Sequence, residues 1–139
     1  MRSRYLVDKS ALARGHLEPV RAALEPLFDH DGLATCAVID LEVLYSARTS
    51  ADYETTWDHR RANYVDLPIT PEICARAVEV QSRLAVRGQH RGCGVPDLLI
   101  AACAELHGVP VLHYDREFDL IAEITGQPVC WVVPQGSVP

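Results

Sequence analysis

Four acidic residues stand where short apolar segments end or begin. Asp8 closes Tyr5-Leu6-Val7, Glu42 lies within Asp40-Leu41-Glu42-Val43-Leu44, Asp97 opens Leu98-Leu99-Ile100 behind Pro96, and Asp115 follows Val111-Leu112-His113-Tyr114. Apolar runs this short and rich in β-formers read as buried strands, so Asp8 and Asp115 fall at strand ends. In open α/β sheets ligands collect at the carboxyl ends of the strands, which makes those ends a functional position by architecture. Carboxylates gathered in a partly buried site oppose one another's ionisation unless a cation shares the space. Hard divalent cations take oxygen ligands, so the quartet reads as a Mg²⁺ site that could also take Mn²⁺.

Competing chemistries fit less well. The five cysteines are an odd number without a C-x-x-C pair, and the six histidines show no ligand spacing, which argues against a disulfide framework and a zinc centre. His113 alternates away from its strand neighbours and reads as a core residue rather than a base; Trp57 and Trp131 read as core or interface anchors. A haloacid-dehalogenase-type phosphatase would need Asp-x-Asp where the chain has Asp8-Lys9-Ser10. A receiver domain would need a separate lysine near the phosphoryl group, and the only lysine, Lys9, adjoins Asp8.

The elements that would carry the acids alternate between strand and helix. An amphipathic helix is expected over Leu17 to Phe28, closed by the turn signal Asp31-Gly32, then a strand at Leu33 to Cys36. A helix from about Val38 to Arg48 holds Glu42 one turn inside its start, while Asp40, two residues away, faces elsewhere. Ser50 to Tyr64 reads as a polar helix with the cluster His59-Arg60-Arg61, and Tyr64 to Ile69 as an edge strand. Thr70 and Pro71 start a helix that Gly88 stops, and Gly88 to Val95 is a basic, glycine-rich loop leading to Asp97. The helix Asp97 to Leu106 is apolar on nearly every side and should be buried. Val109 to Tyr114 is a strand, Arg116 to Ile124 a helix with Asp119 one turn after Asp115, and Val129 to Val133 a last strand.

That alternation implies α/β architecture: one domain over residues 1–134 with a tail at 135–139, and a parallel central sheet of four to five short strands flanked by helices on both faces. With 139 residues, 48% hydrophobic and 23% charged, the chain suits a single core. No apolar run is long enough to span a bilayer, and the basic start Met1-Arg2-Ser3-Arg4 leads into a run broken by Asp8 and Lys9, unlike a signal peptide, so a cytoplasmic protein is expected. A net charge of -6 opposes diffuse attraction to nucleic acid, but cations bound by the acids would invert the local field. Arginines supply all but one of the basic residues, which suits phosphate forks.

Taken together, Leu6-Val7-Asp8-Lys9-Ser10-Ala11, Glu42, Pro96-Asp97-Leu98-Leu99-Ile100-Ala101-Ala102 and Leu112-His113-Tyr114-Asp115-Arg116-Glu117-Phe118-Asp119 resemble a PIN domain. More narrowly they are similar to the VapC ribonuclease toxins of bacterial toxin-antitoxin pairs. The resemblance implies a metal-dependent endoribonuclease with Asp8, Glu42, Asp97 and Asp115 as catalytic and metal-binding acids. It makes Asp119 a candidate outer ligand and Ser10 the family's hydroxyl beside the first acid. It also implies a homodimer that forms a hetero-oligomer with a VapB-type antitoxin. On that reading Arg87, His90 and Arg91 in the glycine-rich loop, with Arg60 and Arg61, are candidate RNA phosphate contacts. The alternatives are a non-catalytic PIN-like module that binds RNA or protein, and a phosphoryl-transfer α/β domain.

Overall fold

The computed structural model describes residues 4–29 and 32–139; of the turn signal Asp31-Gly32, Asp31 lies outside them, as do residues 1–3 of the basic start. Five strands, β1 (Tyr5–Val7), β2 (Leu33–Thr35), β3 (Val65–Asp66), β4 (Val111–His113) and β5 (Val129–Trp131), form one sheet in the order β3-β2-β1-β4-β5. Every neighbouring pair is parallel. The chain therefore builds outward from β1 through β2 to β3, then returns to the other side of β1 for β4 and β5. The reversal point lies between β1 and β4, where a crevice opens at the carboxyl ends.

Strand side chains alternate between faces, and the two cores divide accordingly. Leu6, Ala34 and Val111 join one cluster with buried residues of α3 (Ala37–Tyr45), α5 (Pro71–Val86), α6 (Val95–His107) and α7 (Glu117–Thr125). Their neighbours Val7, Leu33 and Leu112 join the other with α1 (Lys9–Leu12), α2 (Glu18–Phe28), Val132 and Val133. Each fully buried aliphatic or aromatic side chain here contributes about 1.5–3 kcal/mol. The remaining helix, α4 (Ser50–Asn63), buries only Arg60.

The helix ends follow local chemistry. Thr70 Oγ1 accepts from Ile73 N at 3.3 Å with Pro71 in the first turn of α5, and Gly108 closes α6 at φ 72°, a left-handed position that favours glycine. Three boundaries differ from expectation. The one-turn α1 follows β1 directly, α3 stops at Tyr45, and α6 begins two residues ahead of Asp97, which places that acid in its first turn. The terminal residues fold back: Tyr114 Oη donates to Val138 O at 2.7 Å and accepts from Gly136 N at 2.9 Å. No helix among the described residues is long and apolar enough to cross a membrane.

Candidate metal centre

The end of β1 and the end of β4 are stitched together by short hydrogen bonds. Asp8 caps α1, its Oδ2 accepting from Ser10 N at 2.9 Å, and Ser10 Oγ in turn accepts from Tyr114 N at 2.9 Å. Asp115 Oδ1 accepts from Glu117 N at 3.0 Å, which turns the chain from β4 into α7 and brings the Glu117 side chain back over the crevice. There Glu117 Oε1 accepts from Gly94 N at 2.7 Å, tying α7 to the loop ahead of α6. These links place Asp8, Glu42, Asp97, Asp115 and Glu117 around one open pocket of about 420 Å³, together with Lys9, Ser10, Ala13, Gly94 and Pro96.

Asp97, Asp115 and Glu117 each offer an oxygen within 4.8 Å of the other two. Asp8 is 4% exposed, and its Oδ1, like Glu42 Oε1, is buried without a hydrogen-bond partner among the described residues. Orphaned carboxylate oxygens are costly and call for a cation. The electrostatics agree. Burial first, then Asp8, Glu117, Asp115 and Glu42, pushes the Asp97 carboxyl up to about 8. Burial and Asp8 raise Glu42 while Lys9 opposes the rise, and burial raises Glu117 against the pull of the Gly94 amide. Beside them burial, then Glu117, Asp97 and Asp115, push the Cys93 thiol up to about 11, so it stays protonated at neutral pH. An all-oxygen donor set with two orphaned oxygens fits a hard divalent ion.

A family model described as "PIN domain" matches residues 5–124. The chain belongs to the PIN-domain family. It is 50% identical over 139 residues to Ribonuclease VapC21 of Mycobacterium tuberculosis, with 99% of each chain covered. It is 43% identical over 141 residues to Ribonuclease VapC51 of the same species, again with 99% of each covered. The fold also matches VapBC2 from Rickettsia felis bound to a promoter DNA fragment, with a TM-score of 0.74 at 17% identity over 91% of this chain and 98% of that one. The PIN domain thus accounts for the parallel sheet and its flanking helices.

Within this PIN domain, Asp8, Glu42, Asp97, Asp115 and Ser10 all line the pocket. Asp119 points elsewhere, its Oδ2 accepting from Trp131 Nε1 at 3.0 Å and its Oδ1 lying 3.9 Å from His113 Nε2. Glu117, which sequence reasoning passed over, takes the place on the pocket wall. His113 is fully buried between Phe118 and Trp131, its Nδ1 accepting from Asp115 N at 3.0 Å. The expectation that Arg60 contacts RNA is corrected. Arg60 is 3% exposed, its Nε donating to Asp40 Oδ1 at 2.9 Å and its Nη2 to Thr35 Oγ1 at 2.8 Å, under the Tyr64 ring. A guanidinium locked into a buried ion pair cannot reach phosphate, and the same pair explains why Asp40 faces away from Glu42. Arg61 stays at the surface, over the Trp57 ring at 5.0 Å and bonded to Asp58. Arg87 lies 3.8 Å from Glu123, and His90 and Arg91 are exposed in a single 3₁₀ turn, His90–Gly92, just ahead of Gly94.

Proposed function

We propose that this chain is a Mg²⁺-dependent endoribonuclease, the toxin of a type II toxin-antitoxin pair. The observation that carries the reading is the convergence of five carboxylates at the reversal point of the sheet, two of them with orphaned buried oxygens. The 50% identity to a protein named Ribonuclease VapC21 directs it toward RNA. Asp8, Asp97 and Asp115 would hold the ion, with Glu42 and Glu117 as further ligands or as acceptors for its waters. When bound, Mg²⁺ would supply a more acidic water and offset charge on the phosphate while water attacks phosphorus in line and the sugar oxygen opposite leaves.

The chain's own groups then have limited tasks. Asp97 must give up its proton before it can act as an anionic ligand. Ser10 is committed to orienting Asp8 through its amide and the end of β4 through its hydroxyl, which suits support rather than nucleophilic attack. His113 is buried with burial holding its imidazole below the ordinary pKa, so it is no base for solvent. Arg91, Arg87 and Arg61 supply exposed positive charge for the RNA backbone, with His90 exposed beside Arg91.

The partner is a VapB-type antitoxin, in keeping with solved relatives titled as VapBC complexes. The toxin acts as a homodimer in the cytoplasm. Incubating the purified chain with total cellular RNA tests the activity. Cleavage with Mg²⁺ or Mn²⁺, its arrest by EDTA and its loss in a folded Asp8→Ala variant are expected. RNA binding by the wild-type chain with no cleavage under either metal would instead favour a non-catalytic module.

A further inference from the structure

Among the described residues five acids line the pocket, and a single basic side chain lines it with them: Lys9, the only lysine of the chain. It is the first residue of α1, directly after Asp8, and its Nζ donates to Ser46 Oγ at 2.9 Å. Ser46 caps the C-terminus of α3, one turn beyond Glu42 on the same helix, so the ammonium sits on the Glu42 side of the opening. Lys9 is near enough to Glu42 to oppose the rise in its pKa, yet its hydrogen bond goes to a neutral hydroxyl. A lysine serving only to balance the acids would gain most by a charge-assisted bond to a carboxylate. Bound to a hydroxyl on the rim, it can exchange that partner for a phosphate oxygen without breaking an ion pair. A compact ammonium on a flexible stem suits such a point contact.

Arg14, just past the end of α1, is not free for the task. Arg14 is held by Ser10 O and Pro139 O with its guanidinium over the Tyr114 ring. We propose that Lys9 is the phosphate-binding residue of the pocket, leaving Ser46 Oγ to engage a non-bridging oxygen of the RNA phosphodiester held at the carboxylates. This rests on the nuclease reading above.

The test compares Lys9→Met, Lys9→Arg and Ser46→Ala with wild type on a single-stranded RNA oligonucleotide spanning a site that the wild-type chain cuts in total RNA. Lys9→Met is expected to lower kcat/KM by about ten to a hundredfold, the loss of one charge-assisted hydrogen bond. The slope of log kcat/KM against log salt should shrink by about 0.7, one phosphate contact on a single strand. Lys9→Arg should restore the slope, and Mg²⁺ should bind Lys9→Met at least as tightly as wild type by calorimetry, since a positive charge has left the pocket. Ser46→Ala removes only the resting partner and should keep the wild-type slope and activity. An active Lys9→Met with an unchanged salt slope overturns the proposal while leaving the nuclease reading intact. So does a Ser46→Ala variant that reproduces the loss, which would make the Lys9 to Ser46 bond a structural tie. If the wild-type chain cut no RNA with either metal, both readings would fall together.

Discussion

Mg²⁺ binding should eject a proton from Asp97. Its carboxyl, pushed up to about 8 by burial and then by Asp8, Glu117, Asp115 and Glu42, is mostly neutral at pH 7 in the metal-free chain. A group of pKa about 8 is roughly 0.9 protonated at pH 7, and an anionic ligand must be deprotonated, so about 0.9 proton should be released per binding event. The apparent dissociation constant should then rise about tenfold for each pH unit below 8. Titration calorimetry at pH 7 in two buffers of different ionisation enthalpy reads the released proton directly. An Asp97→Asn variant should release almost none from this position and bind more weakly. The same pKa sets the sign of a stability effect. The folded chain holds a proton that the unfolded chain gives up near pH 4, so stability from Asp97 is present at low pH and lost as pH rises through about 8. Across that window wild type should lose up to about 1.4 kcal/mol per pH unit relative to Asp97→Asn in the absence of metal. Equal binding enthalpies in the two buffers, or parallel stability profiles for wild type and Asp97→Asn, would refute the account of the site as an acid cluster poised for a cation.

Glu117→Gln should weaken Mg²⁺ binding by roughly ten to a hundredfold, whereas Asp119→Asn should leave it near wild type and lower the melting temperature by weakening the hydrogen bond from Trp131; calorimetry and thermal melts on both variants separate the two positions. Arg60→Met leaves Asp40 buried without its partner and should cost about 3–5 kcal/mol in denaturant unfolding, while Mg²⁺ affinity measured on the folded fraction stays the same. Replacing His90 and Arg91 together by alanine should reduce the salt slope of RNA binding by about 0.7 for each phosphate that the pair neutralises, with metal affinity unchanged; a wild-type slope would remove the 3₁₀ turn from the RNA path.

How far the site could be read from the sequence depended on how tightly each acid was tied to an element boundary. Asp8 and Asp115 end apolar strand runs, and Asp97 follows a proline that begins a helix, so architecture alone sends them to the same edge. Glu42 and Asp40 were separable by helix geometry, and Asp40 indeed meets Arg60 on the other side of α3. The same geometry misled at Asp119. Counting one turn on from Asp115 assumes that Asp115 is already helical, but α7 starts at Glu117, and the Asp115 side chain accepts from that residue's amide ahead of the helix. The helical count from the true start leaves Asp119 toward Trp131 and returns Glu117 to the pocket. Arg60 was hidden for a different reason. A polar helix such as α4 carries no apolar stripe to say which face turns inward, so charge alone marks Arg60 and Arg61 alike. The clue lay elsewhere, in an acid at Asp40 that had to be buried and so required a cation. The one-turn α1 is too short for periodicity to register, though Asp8 two residues before Ser10 is a capping arrangement.

The charge balance explains why the fold can tolerate this pocket. Asp97 and Glu117 each lie in the first turn of a helix, where the aligned peptide dipoles favour negative charge by about 0.3–1 kcal/mol. That offset is small beside the burial and mutual repulsion that hold Asp97 near pH 8, so the helix ends moderate the strain without removing it. The remainder is carried as a bound proton, an orphaned oxygen on Asp8 and another on Glu42. Each is a cost that a divalent ion relieves at once. The difference between the metal-free and metal-bound chain should therefore appear mainly in proton release and local stability, because the short bonds from Ser10, Glu117 and Gly94 already hold the backbone in place.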